Sequence, residues 1–152
     1  MSQKIVILGA KGFIGSYLSK QFSKDSKYTV ASYSSSDCNL LSVDSINQSL
    51  SKVTANDTLI ITSTINRSTE NSLNSMVKNI SMADNLAKFL ENHPVKQVIF
   101  LSSIDVYGIN PIIPITERTL PNPNDYYSQS KLTSEFVLQK TCSKNNISLL
   151  VL

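Results

Sequence analysis

Tyr127 and Lys131 lie four residues apart in the run Tyr127-Ser128-Gln129-Ser130-Lys131. On a helix that spacing puts both side chains on one face, within reach of each other. A free tyrosine ionises near pH ~10, too high for proton transfer at neutral pH, and an adjacent ammonium favours the phenolate and lowers that value. The pair therefore suits a proton carrier, Tyr127, with a cationic partner, Lys131. Tyr126 is not the candidate, because the residue four positions after it is Ser130. A second source of hydroxyls is Leu101-Ser102-Ser103-Ile104-Asp105-Val106-Tyr107-Gly108, which follows an apolar run expected to be a strand. A serine at the carboxyl end of a strand can hold the oxygen that a tyrosine protonates or deprotonates.

Three of the four glycines in the chain fall in Gly9-Ala10-Lys11-Gly12-Phe13-Ile14-Gly15. The segment follows one expected strand and opens an expected helix. In that context Gly9 allows the tight turn, Gly12 lets the backbone approach a pyrophosphate, and Gly15 lets the helix pack closely on the sheet. The helix start adds unpaired N–H groups and a partial positive charge, which suit phosphate. The residues therefore fit a dinucleotide. A dinucleotide site usually carries an acid about 20 residues further on, for the ribose 2′-hydroxyl. Here the second strand ends in Ser32-Tyr33-Ser34-Ser35-Ser36 and Asp37 comes several residues late. Hydroxyls such as Ser34 with a nearby cation, Lys11, suit a 2′-phosphate better, so the expectation is NADP over NAD.

The elements that must position these residues are legible from apolar spacing. Strands are predicted over Lys4 to Leu8, Tyr28 to Tyr33, Thr58 to Thr62, Gln97 to Leu101 and Ile147 to Leu152, with a short one over Cys38 to Leu41. Phe13, Ile14, Tyr17, Leu18 and Phe22 form the apolar stripe of a first helix. Asp44 or Ser42 caps a second, with Ile46, Leu50 and Val53 inside. Leu73, Met76, Val77, Ile80, Ala83, Leu86, Ala87 and Leu90 trace a long third helix that ends before Pro94, with Met76 and Met82 in its core face. Four of the five prolines lie in residues 108–124, a loop of restricted backbone, and a last helix runs from about Asp125 to Lys144. Strand and helix alternate throughout. The fold class is α/β, a Rossmann-type doubly wound parallel sheet in three layers, helices on both faces.

At 152 residues and 16.8 kDa the chain is one domain, residues 1–152. A net charge of +3 gives no reason to invoke nucleic acid. The longest apolar runs fall well short of a membrane span of roughly 18 residues, and the apolar start of the chain is too short for a signal peptide. Cys38 and Cys142 make no metal or redox spacing and read as reduced thiols, which points to the cytoplasm. No metal site is expected.

The chain resembles the extended short-chain dehydrogenase/reductases, and within them the sugar-nucleotide epimerase/dehydratase group. Four segments carry the resemblance in matching order: Gly9 to Gly15, Ser102 to Gly108, the Pro-rich stretch with Glu117 and Pro123, and Tyr127 to Lys131 followed by Glu135. The resemblance implies that Ser103, four residues before Tyr107, is the catalytic hydroxyl, Tyr127 the general acid/base and Lys131 its partner. It implies a dinucleotide held by Gly9, Lys11, Gly12, Phe13, Ile14, Gly15 and Ser34, with Asn39 and Leu40 where the family has an acid reaching the adenine. The segment Thr62-Ser63-Thr64 is implied to pass near the cofactor, as are Asn79, Tyr127 and Lys131 on the nicotinamide side.

The 4,6-dehydratases of the group carry Asp-Glu directly after the catalytic hydroxyl, and here those positions are Ile104 and Asp105. The resemblance therefore implies hydride transfer on a nucleotide-linked sugar, by an epimerase or reductase, in a pathway of polysaccharide biosynthesis. Family chains are about twice this long, so the C-terminal substrate domain is expected to be absent from this chain, which alone is expected to be inactive. A homodimer through the two long helices is also implied. The other readings are a catalytically silent NAD(P)-binding module, as a fragment or redox-sensing regulator, and a reductase of another small carbonyl compound.

Overall fold

The computed structural model describes residues 2–152. Among these residues the strands form one parallel sheet: β1 (Gln3–Leu8), β2 (Tyr28–Tyr33), β3 (Thr58–Ile61), β4 (Gln97–Phe100) and β5 (Ser148–Val151), in the order β2-β1-β3-β4-β5. The register is continuous. Val6 lies opposite Ala31 on one side and Leu59 on the other, Leu59 opposite Val98, and Val98 opposite Leu149. The helices are α1 (Phe13–Phe22), α2 (Val43–Ser49), α3 (Leu73–Asn92) and α4 (Tyr126–Lys144), with a 3-10 turn at Ile104–Tyr107. The strand order reverses between β1 and β3, and such reversals open a crevice at the carboxyl ends of the strands.

Alternation along the strands divides the core. Val6, Leu8, Leu59, Ile61, Val98 and Phe100 pack with Leu86, Leu90 and Leu138 of α3 and α4. Ile5, Ile7 and Ile60 face the other way, against Leu18 and Phe22 of α1. Helix starts follow side-chain capping. Ser42 rather than Asp44 caps α2, and Ser72 and Asp125 form capping boxes with Ser75 and Ser128 for α3 and α4. Between α3 and α4 the seam is built of small polar residues, including Ser75, Ser130 and Ser134. Their hydroxyls donate to backbone carbonyls of their own helices, Ser130 to Tyr127 at 2.7 Å and Ser134 to Ser130 at 2.8 Å, so burial leaves them satisfied.

Three expectations are corrected. Cys38 to Leu41 is no strand. Its backbone bonds locally, Cys38 N–H to Ser34 O and Ser42 N–H to Asn39 O, while the Cys38 and Leu40 side chains drop into the core. The stripe of α1 faces outward at its start, with Phe13 93% and Tyr17 62% exposed. The inward line is Gly15, Leu18 and Phe22. A Cβ on Gly15 would lie 2.3 Å from the Gly9 carbonyl oxygen, so contact at a bare Cα sets the phase of the helix, and apolar periodicity passes over it. On α3, Leu73 and Val77 are exposed, Met82 packs at the core edge and Met76 is only partly covered.

Gly15→Ala should therefore cost about 3 kcal/mol of stability through overpacking. Gly12→Ala should cost about 1 kcal/mol or less, an N-cap effect, because its Cβ would meet only the Gly9 carbonyl oxygen at 3.3 Å. Urea denaturation of the two variants checks the contrast.

Candidate active site at the carboxyl ends of the strands

The glycine turn leaves β1 at the reversal point. Gly9 has φ +91°, and a Cβ there would meet Thr62 Oγ1 at 2.6 Å and the Ser63 nitrogen at 2.8 Å. The Gly9 and Ala10 N–H groups donate to the Tyr33 carbonyl at the tip of β2, and the Thr62 hydroxyl donates to the Leu8 carbonyl at 2.8 Å. Three strand ends are thus tied together under an open groove of about 330 Å³ lined by Gly9, Lys11, Gly12, Ser34, Thr62 and Ser63. Gly12 begins α1 with no side-chain cap, unlike the starts of α2, α3 and α4. The groove therefore meets open first-turn amides and a glycine with no side chain to keep a ligand off the backbone, which fits a phosphate brought against it. Phe13 and Ile14, at this helix start, are solvent-exposed.

The β2 tip corrects one expectation. Asp37 is late in sequence, yet its carboxylate folds back, accepting from the Ser34 N–H at 2.9 Å and from the Ser34 hydroxyl. An acid does stand at the strand end. Those two bonds hold its pKa below the usual carboxylate range, with Lys11 adding a smaller effect. Lys11 Nζ lies 3.4 Å from Ser36 Oγ, which in turn bonds Ser34 Oγ at 2.8 Å. Asn39 is exposed and its side-chain oxygen accepts from the Leu41 N–H at 3.0 Å, and the Leu40 side chain is buried in the core.

On the far side of the groove Asn79 of α3 reads the backbone of the loop after β3. Its amide accepts from the Ile65 N–H at 2.8 Å and donates to the Ile65 carbonyl at 3.0 Å and to Ser130 Oγ at 3.2 Å. Asn79 thus holds the loop bearing Thr64 against α4. The Thr64 and Ser103 hydroxyls stand beside the Tyr127 phenol. Burial raises the Tyr127 pKa above its ordinary value, the neighbouring hydroxyls draw it down, Asp105 raises it and Arg67 lowers it. Tyr127 and Ser103 are brought together as expected, but the phenol is held in its neutral form rather than pushed toward phenolate.

Lys131 explains that difference. Its ammonium donates to the Leu101 carbonyl at 2.5 Å and lies 4.4 Å from the centre of the Phe100 ring. It is turned to the end of β4, and burial lowers its pKa to about 8, partly offset by Glu135. Glu135 also accepts from the Ser102 hydroxyl, which gives Ser102 a structural task and leaves Ser103 as the hydroxyl of the site. Arg67, one of two arginines in the chain, lies in no motif, and the contact of the β3 loop with the segment after β4 brings it in.

The Lys131 value has a consequence with a definite sign. The unfolded lysine keeps its proton to near pH ~10.4, the folded one only to about 8. The unfolded state binds more protons between those values, so the lysine's contribution to stability rises with pH there. Relative to Lys131→Met, the wild-type chain should gain about 2 kcal/mol between about pH 7.5 and 9.5, read by urea unfolding at each pH.

Comparison with known proteins bears on the family and the fold. The model of the NAD dependent epimerase/dehydratase family matches residues 5–152. A UDP-glucose 4-epimerase of Dictyostelium discoideum is 34% identical over 67 residues, 44% of this chain and 20% of that enzyme. The crystal structure of UDP-glucose 4-epimerase from Brucella ovis in complex with NAD superposes with a TM-score of 0.84 at 20% identity, over 99% of this chain and 51% of that one. The RMD protein of Pseudomonas aeruginosa complexed with NADPH does so with a TM-score of 0.84 at 22% identity, over 98% and 53%. The chain spans about half the length of the solved structures it matches. Among the described residues no helix is long and apolar enough to cross a membrane.

Proposed function

The chain belongs to the NAD dependent epimerase/dehydratase family, and we propose on that premise that it is the cofactor-binding half of an enzyme that epimerises or reduces a nucleotide-linked sugar. The observation that carries the reading is the convergence, at one set of strand ends, of an uncapped glycine helix start with Tyr127 beside Ser103. A bound nicotinamide dinucleotide would supply the hydride. The first-turn amides of α1 would hold its phosphates, and Gly12 would let them approach. Tyr127, neutral at rest, would give its proton to the substrate oxygen or take one back, Ser103 would seat that oxygen, and the Lys131 charge would remain at neutral pH beneath them. A second half of the protein would supply the sugar-nucleotide pocket.

NADP remains the proposed cofactor, supported by Lys11 and by the Ser34 and Ser36 hydroxyls at the β2 tip. Asp37 works against it, although Ser34 already occupies its carboxylate. The buried, unpaired Cys38 and Cys142 fit a reducing, cytoplasmic setting. Exposed Leu73 and Val77 on α3 and Phe136 on α4 are the faces through which two copies would pair.

Tyr127→Phe in the whole protein should reduce turnover of nucleotide sugars about 100-fold or more while leaving cofactor binding intact. Unchanged turnover overturns the assignment, and cofactor binding without turnover in the wild type favours the silent binding module. For the cofactor, Gly12→Ala should fold yet lose about tenfold or more in dinucleotide affinity. Lys11→Ala should weaken NADPH several-fold and spare NADH, by calorimetry. Equal losses for the two cofactors remove Lys11 from the 2′-phosphate.

A further inference from the structure

Asp105 and Arg67 have no part in the reading above, yet they touch its centre. Ser103 caps the 3-10 turn Ile104–Tyr107, its Oγ accepting from the Asp105 N–H at 3.2 Å. The same hydroxyl donates to Asp105 Oδ2 at 3.1 Å. That oxygen also receives Arg67 Nη1 at 3.2 Å. Arg67 comes from the loop after β3 and Asp105 from the segment after β4, so the ion pair joins the two loops that flank Tyr127.

A serine hydroxyl is a free rotor with one proton to donate and two lone pairs to offer. With one lone pair on the Asp105 N–H and its proton drawn to Asp105 Oδ2, the Ser103 hydroxyl has to turn from that carboxylate to donate to the phenol oxygen or to an oxygen seated beside it. We propose that Asp105 and Arg67 are positioning residues for this pair: Asp105 fixes the direction in which Ser103 donates, and Arg67 holds the Asp105 carboxylate in place. The proposal rests on the assignment of Tyr127 and Ser103 made above.

The magnitudes separate this role from a merely structural one. Arg67 is more than half exposed, and ion pairs of that kind contribute little to folding. Their effect should instead appear at Tyr127. The charged groups around the phenol are Asp105 from the 3-10 turn and Arg67 from the β3 loop, with Lys131 and Asp125 on or beside its own helix. Lys131 is occupied by the Leu101 carbonyl, and Asp125 caps α4 through Ser128. Asp105 opposes the phenolate and Arg67 favours it, as opposite charges must.

The test is the titration of Tyr127 in this chain by NMR of ring-labelled tyrosine, its signal assigned by its loss in Tyr127→Phe. Asp105→Asn should move the midpoint down, Arg67→Gln should move it up, and Arg67→Lys should stay near wild type. In the whole protein, Asp105→Asn should lower kcat about tenfold, with a smaller change in KM, by loosening the alignment of the acid. Its pH profile should shift in the same direction as the NMR midpoint. Midpoints unchanged in both Asp105→Asn and Arg67→Gln, or moved in the opposite directions, overturn the positioning role, as does an unshifted pH profile of kcat. If Tyr127→Phe is inactive while these variants are silent, only the positioning role falls. An active Tyr127→Phe removes the underlying assignment as well.

Discussion

The bare Cα of Gly15 packs against the carbonyl of Gly9, and the Thr62 hydroxyl closes the same contact from β3. Much of the candidate site depends on this close approach. It sets the phase of α1, turning Phe13 and Tyr17 outward and Leu18 and Phe22 inward. It also places the uncapped start of α1 over the reversal in strand order between β1 and β3. A larger residue at either glycine would push helix and sheet apart, and the groove would lose its floor. Gly12 is less constrained, because its Cβ would meet one atom, the Gly9 carbonyl oxygen, at 3.3 Å.

A second anchor holds the chemistry on the other side. The seam of α3 and α4 is made of small hydroxyl residues that satisfy themselves within their own helices. Such a seam allows two helices to approach closely without leaving buried polar atoms unpaired. Asn79 uses that proximity to fasten the β3 loop to α4. Thr64 thereby reaches Tyr127, and Asn71 bridges the starts of the two helices, accepting from the Tyr127 N–H at 3.0 Å. Asn79 therefore acts here as a loop anchor, whatever it also offers to a ligand.

The electrostatics of the site follow from burial more than from sequence spacing. The four-residue step from Tyr127 to Lys131 correctly placed both on one helix, but a helix face does not dictate where a long side chain ends. The lysine stem lies in the interior and its ammonium finds the Leu101 carbonyl and the Phe100 ring. Tyr127 is left among hydroxyls and an ion pair, partly shielded from water, and its neutral form is favoured. A neutral phenol beside a serine hydroxyl is an arrangement suited to giving a proton.

Local sequence was enough for the alternation of strand and helix, the parallel sheet and the glycine turn. These follow from local periodicity and from residue types with narrow conformational tolerances, which short segments carry on their own. Packing of distant segments set the phase of α1, the loop at Cys38 to Leu41, the choice of Ser42 as the α2 cap, the return of Asp37 to Ser34, the partner of Lys131, and the ion pair of Arg67 with Asp105 beside the site. Each of those depends on a contact between segments distant in sequence, or on a side chain choosing among several reachable partners. The choice is made by burial and hydrogen bonding that exist only once the layers have packed.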